Sequence, residues 1–144
     1  MSVKPETVFI RSIHAKLPSD GTAPFFEKQN NPYSAGTPDV YYSGTDGDMW
    51  VEYKFMKELP KRATTMVVPD LSPDQKRWLG NRLDEGRNVY VVMGVGAKHA
   101  ILYRNREWLT PISVKELQAK LVLRQDLADW IKATVGESRC QSLE

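Results

Sequence analysis

Residues 88–95, NVYVVMGV, are the most apolar run in the chain. A run of this length, rich in β-branched residues, predicts a central strand covered on both faces. Such a strand needs neighbours to pair its backbone and helices to close both of its surfaces.

The flanking sequence supplies them. Residues 5–17, PETVFIRSIHAKL, predict a helix with Ile10, Ile13 and Leu17 on one face, Pro5 in the first turn and Pro18 as the stop. Residues 25–30 predict a weakly patterned strand, and 31–36 turn chemistry. TPDVYYS at 37–43 and MWVEYKF at 49–55 predict two strands joined by the Gly- and Asp-dense GTDGD at 44–48. Residues 56–70 read as a long irregular segment with a basic centre. A second helix is predicted over 72–86, with Ser72 as N-cap, Pro73 at the first helical position, Gly86 as the stop, and Trp78, Leu79 and Leu83 facing inward. After the central strand, 98–104 predicts another strand and 113–136 one or two helices. The expected fold is therefore α/β: a mixed sheet with helices packed on it, in the order helix, three-strand meander, helix, strands, C-terminal helices.

At 144 residues the chain fits one domain, expected over 1–136, with a loose tail over 137–144. Its single cysteine, Cys140, excludes an intrachain disulfide and a zinc site built on several thiolates. Nothing resembles a secretory signal or a membrane span, so an intracellular, cytoplasmic location is expected. The net charge of +2 names no partner by itself.

Alternation along 49–55 places Val51, Tyr53 and Phe55 on one side and Glu52 and Lys54 on the other. Charges on a strand that could be buried are costly unless they are paired or bind a metal. The hairpin allows Asp39 to return beside Glu52. Two adjacent carboxylates repel, and a divalent cation removes that conflict. Hard oxygen ligands suit Mg²⁺, with Mn²⁺ as a substitute. With Lys54 to hold the attacking water or the developing charge, the set has the makings of a metal-assisted phosphodiesterase. The plain alternative is a solvated strand face with a weak Glu52–Lys54 ion pair.

The ordered motif TPDVYY…WVEYK, with Pro38, Asp39, Glu52, Tyr53 and Lys54, resembles the signature of the PD-(D/E)xK nuclease superfamily. The resemblance covers roughly residues 5–104. The chain looks most like the small stand-alone VRR-type nucleases, often phage-encoded, and the Holliday-junction resolvases. In those proteins a Gln-bearing helix follows the Lys strand, and here LSPDQKRWL supplies Gln75. The three residues that give the VRR type its name are not recognisable in this chain.

The resemblance implies a restriction-endonuclease-like core and a Mg²⁺-dependent endonuclease. Asp39, Glu52 and the Tyr53 carbonyl would hold the metal, Lys54 and Gln75 would complete the catalytic set, and the products would carry a 5′-phosphate and a 3′-hydroxyl. Many members add an acid on the first helix. Glu6 fits, or it simply favours the positive helix N-terminus; Glu27 is a rival, more simply a surface residue. Gln75 reads either as a contact to a phosphate or water, or as an exposed helix residue. Lys57, Lys61, Arg62, Lys76 and Arg77 could hold a DNA backbone, or be ordinary solvated cations among nearby acids. His14 reads as a partly buried helix residue; His99 has no evident partner. Trp130 reads as core or as a dimer contact. With no appended DNA-binding domain expected, a homodimer acting on branched or four-way DNA is the preferred reading. The alternatives are a flap or single-strand nuclease, or a non-catalytic nucleic-acid-binding module.

Overall fold

A computed structural model describes residues 3–29 and 35–138 of the chain. In chain order the elements are α1 (Pro5–His14), β1 (Phe25–Lys28), β2 (Val40–Gly44), β3 (Gly47–Met56), β4 (Met66–Val67), α2 (Pro73–Asp84), β5 (Val89–Val95), β6 (His99–Tyr103), a 3₁₀ turn (Glu107–Leu109), β7 (Ile112–Ser113), α3 (Val114–Gln118), β8 (Val122–Leu123) and α4 (Arg124–Val135). Six strands form one mixed sheet in the order β1-β2-β3-β5-β6-β8. The β1-β2-β3 meander is antiparallel. Between β3 and β5 the chain passes through β4 and α2, and the two strands pair in parallel.

The predicted double cover of the central strand is observed. Along β5, Val92 belongs to a core shared with Phe9, Ile10 and Ile13 of α1 and Leu127, Ala128 and Ile131 of α4. Val89, Val91, Met93 and Val95 belong to a second core, shared with Leu79 of α2 and Leu117 of α3. Gly94 lies between them in sequence and has a packing role. A Cβ there would come within 2.8 Å of the Phe9 ring and 2.9 Å of the Phe55 ring. The bare backbone lets two aromatic rings close against the sheet.

Several expected boundaries move. Helix α1 ends at His14 rather than residue 17, because Lys16 and Leu17 donate to the carbonyls of Ile13 and His14 and tighten the last turn. Leu17 is nevertheless buried. Strand β2 begins at Val40, after the Pro-Asp pair. The segment 56–70 is not wholly irregular: Met66 and Val67 pair with Ser113 and Ile112 in a second, two-stranded sheet. The helical stretch 113–136 is interrupted by β8, which pairs with β6. Part of the 31–36 turn, and Cys140, lie outside the described residues. Backbone hydrogen bonds tie Glu137 to Thr45 and Ser138 to Ala23, so the chain is held as far as residue 138. No helix among the described residues is long and apolar enough to cross a membrane.

Overpacking a filled core costs about 1–3 kcal/mol. Gly94→Ala is therefore expected to lower the urea midpoint of unfolding by a corresponding amount with an unchanged slope. Gly86→Ala, where a Cβ meets no neighbour but φ is +80°, tests backbone strain alone.

Candidate active site

The β2–β3 register decides where Asp39 falls. Val40 pairs with Val51, so the residue before Val40 lies opposite Glu52. The Asp39 carboxylate is fixed there by accepting the Tyr53 backbone N–H at 2.8 Å. Glu6, in the first turn of α1, reaches the same place. One carboxylate oxygen from each of Glu6, Asp39 and Glu52 lies within 4.8 Å of the others. The rival Glu27 is exposed on β1 and outside this group.

Glu52 does not sit on an open strand face. The side that carries it is covered by α2, and Glu52 is only 2% exposed, which overturns the alternative of a solvated face. Gln75 Nε2 donates to Glu52 Oε2 at 3.1 Å, and Lys54 Nζ stands 3.6 Å from the same oxygen. The other oxygen, Oε1, is buried with no partner among the described residues. Burial, then the nearby Asp39 charge, pushes the Glu52 carboxyl up to about 9, although Lys54 opposes the shift. Burial and Asp39 also raise Glu6. With nothing else in the site, Glu52 is therefore protonated at neutral pH, and Lys54, at 3.6 Å, stands beyond hydrogen-bond reach of it.

A hard cation fits this arrangement. Three carboxylates converge, one buried oxygen lacks a partner among the described residues, and all donors are oxygen. Ionised carboxylates held this close in a poorly solvated place need compensating charge.

Gln75 reaches Glu52 because of how α2 starts. Ser72 Oγ accepts the Gln75 N–H, and Gln75 Oε1 accepts the Ser72 N–H at 2.9 Å, a reciprocal capping box. With its oxygen held by the cap, the amide turns its NH₂ to Glu52. Gly36, at φ +82°, lets the loop before Asp39 pass so close to the Asp74 carbonyl that any side chain would collide with it.

The basic residues divide. Lys57 lines a cavity of about 740 Å³ together with Lys4, Pro5, Glu6 and Phe55, next to the carboxylates. Lys4 went unremarked in the sequence; its one signal is its place just before Pro5 at the helix start. Lys61 and Arg62 are exposed on the segment after β3. Lys76 is exposed on α2, and Arg77 is paired with Asp74 at 2.9 Å. None of these four contacts the carboxylate group directly.

His14 is turned inward. Its Nε2 lies 2.7 Å from the Tyr42 hydroxyl, which lies 2.5 Å from the Tyr53 hydroxyl, and its ring stacks on Phe26. Burial lowers its pKa to about 4. Tyr41 and Trp50 pack on one another, and Trp50 on Trp78. Trp130 packs edge-on against Tyr90. His99 is half-buried at the start of β6.

No family model matches the chain, and no curated protein does. Among solved structures, the chain is similar to Hjc of Archaeoglobus fulgidus, a Holliday junction resolvase from an archaeal hyperthermophile. The TM-score is 0.50 at 18% sequence identity, over 85% of this chain and 98% of that one. The mixed sheet with helices on both faces is thus a restriction-endonuclease-like fold of the kind Hjc has.

The Glu52 shift predicts a pH dependence of stability. The folded state keeps a proton that the unfolded chain releases above its ordinary value near 4.5, up to about 9. Stability in chelator is therefore expected to fall as pH rises through that window and to level off above it. Glu52→Gln removes this slope and raises stability at pH 8 in chelator by about 1–3 kcal/mol. Thermal unfolding in EDTA from pH 5 to 9 measures both, and parallel curves for parent and variant would contradict the assignment.

Proposed function

We propose that the chain is a metal-dependent DNA endonuclease of the PD-(D/E)xK type, with residues 1–136 as its working domain and branched DNA as its substrate. The observation that carries this reading is the meeting of Glu6, Asp39 and Glu52 within 4.8 Å, with Lys54 Nζ 3.6 Å from Glu52. A binding module has no use for three carboxylates gathered in one place, two of them, Glu6 and Glu52, with raised pKa.

Glu6, Asp39 and Glu52, with the Tyr53 carbonyl, would hold Mg²⁺ or Mn²⁺. A divalent cation there would polarise a phosphodiester and supply hydroxide at neutral pH. The chain's own groups do the rest. The Asp39 carboxylate is kept in place by the Tyr53 N–H. Gln75 holds Glu52 through its cap. Lys54 orients the attacking water and stabilises negative charge as it develops at phosphorus. Lys4 and Lys57, on the wall of the cavity that Glu6 shares, hold the DNA phosphates on either side of the cut. Lys61, Arg62, Lys76 and Arg77 contribute to backbone attraction at longer range. Products carry a 5′-phosphate and a 3′-hydroxyl.

Branched, four-way DNA is favoured by the likeness to a Holliday junction resolvase. Two-fold DNA branches call for a two-fold enzyme, so the working form is a homodimer. The sequence order of Pro-Asp, Glu-x-Lys and a Gln-bearing helix keeps the small VRR-type nucleases as the second point of similarity. The protein acts inside a cell, on cellular or phage DNA.

Labelled linear duplex, flap, single-stranded and four-way DNA incubated with the protein in Mg²⁺ or EDTA tests this. Paired nicks in four-way DNA are expected in Mg²⁺ only. Asp39→Asn, Glu52→Gln and Lys54→Ala should each reduce the rate by roughly 10²–10³-fold, and Lys57→Ala should weaken binding with a smaller salt dependence. Cleavage that persists in EDTA or in Glu52→Gln removes the metal mechanism. Preference for flap or single-stranded DNA replaces the resolvase reading with the alternative nucleases. Light scattering on the DNA complex reads the dimer.

A further inference from the structure

The cavity beside the carboxylates has more in its wall than a phosphate needs. It measures about 740 Å³ and is lined by Lys4, Pro5, Glu6, Phe55 and Lys57. A phosphate is held by cations and N–H donors, and it gains nothing from the apolar rings of Pro5 and Phe55. A nucleotide has a second part, the base, whose flat faces do gain from them.

Phe55 is placed for that part. On its side of β3 it follows Val51 and Tyr53, which are fully buried, yet it is itself only half-buried. Its neighbour in β5 is Gly94, and its ring lies so near the bare backbone there that a Cβ would come within 2.9 Å. Phe9 of α1 holds the ring as well, with centroids 6.0 Å apart. The ring is thus fixed from the core side, and it also forms part of the cavity wall. A group already held in place loses little freedom when a second flat group stacks on it.

Charge and position together select what enters. Glu6 is the acid in this wall, and it belongs to the carboxylate group, where a bound cation would answer its charge. Lys4 and Lys57 remain, neither of them in an ion pair among the described residues. An anion that carries an aromatic ring matches such a wall. Glu6 is shared by the cavity and the carboxylate group, so a strand cut at the carboxylates has an adjoining nucleotide beside the cavity.

We propose that this cavity takes one unpaired nucleobase of the DNA strand being cut, stacked on Phe55, with the phosphates on either side of that nucleotide at Lys4 and Lys57. The inference rests on the nuclease reading and adds how the site chooses its DNA. In linear duplex every base is paired and stacked, and extruding one costs free energy. At a branch the stack is interrupted, so a base is free to turn outward at lower cost. Preference for branched DNA then comes from a pocket for a single base, with no reading of base edges.

The test uses the full chain, ¹⁵N-labelled, with EDTA present so that the strand stays whole. The probes are two single strands, pentathymidylate and an abasic strand of the same length and charge. Saturable amide shifts are expected at Lys4, Glu6 and residues 55–57, and pentathymidylate should bind about tenfold more tightly than the abasic strand. Phe55→Leu keeps an apolar group against Phe9 and removes the flat face. It should bring pentathymidylate down to the affinity of the abasic strand and leave the abasic strand unchanged, whereas Phe55→Tyr should keep the difference. Lys57→Ala should weaken both strands alike. Binding is read without cleavage, so the two readings fail separately. Base-dependent binding at Phe55 with no cutting of any DNA in Mg²⁺ overturns the nuclease reading and supports the base site. Equal affinity for the two strands, or equal weakening of both by Phe55→Leu, overturns the base site even where cutting is observed.

Discussion

One buried carboxylate organises this molecule. Glu52 sits mid-way along a central strand, under a helix, 2% exposed, with one oxygen unpartnered among the described residues. A charge in such a place is destabilising unless its surroundings answer it. Lys54 from β3 itself and Gln75 from α2 answer it, while Glu6 from α1 and Asp39 from just before β2 bring further carboxylates to the same place.

The start of α2 shows how local and global requirements are met by the same atoms. A helix N-terminus leaves backbone N–H groups without partners, and a Ser-x-x-Gln box satisfies two of them. Here the Gln of that box is also a neighbour of Glu52. Helix capping and carboxylate placement cannot then be changed independently. The close pass of Gly36 under Asp74 ties the Asp39 loop to the same helix end.

Much of this was legible in the sequence. Periodicity and capping residues located α1, α2 and the central strand, because those signals are carried by several residues each. The pairing of Asp39 with Glu52 followed from the hairpin, and the two-residue turn at Thr45 and Asp46 keeps that register. What was not legible has common causes. Strands β4, β7 and β8 are two residues long, too short for any period to show. Residues 49–55 were read as a core-facing set, Val51, Tyr53 and Phe55, opposite a working set, Glu52 and Lys54, with nothing to say what covers the second. Both sides are covered, because α2 folds back over the face that carries Glu52. That cover arises from a crossover, which alternation within a strand cannot report. Lys4 escaped notice because its significance lies in the cavity it lines with Lys57, a shared lining across 53 positions that no local pattern encodes. The choice between Glu6 and Glu27 was likewise one of three-dimensional reach.

The residues around Glu52 come from positions 6, 39, 54 and 75, and their meeting depends on a parallel pairing of β3 with β5 that local contacts cannot nucleate. The site is therefore a property of the finished fold and of no fragment of it. While the chain is being synthesised, the first two of its acids have emerged long before the helix that positions the third. Any reactivity the site possesses begins at a single moment, when the last strand of that crossover locks into the sheet. A chain that has not yet made this pairing carries the same acids without gathering them in one place.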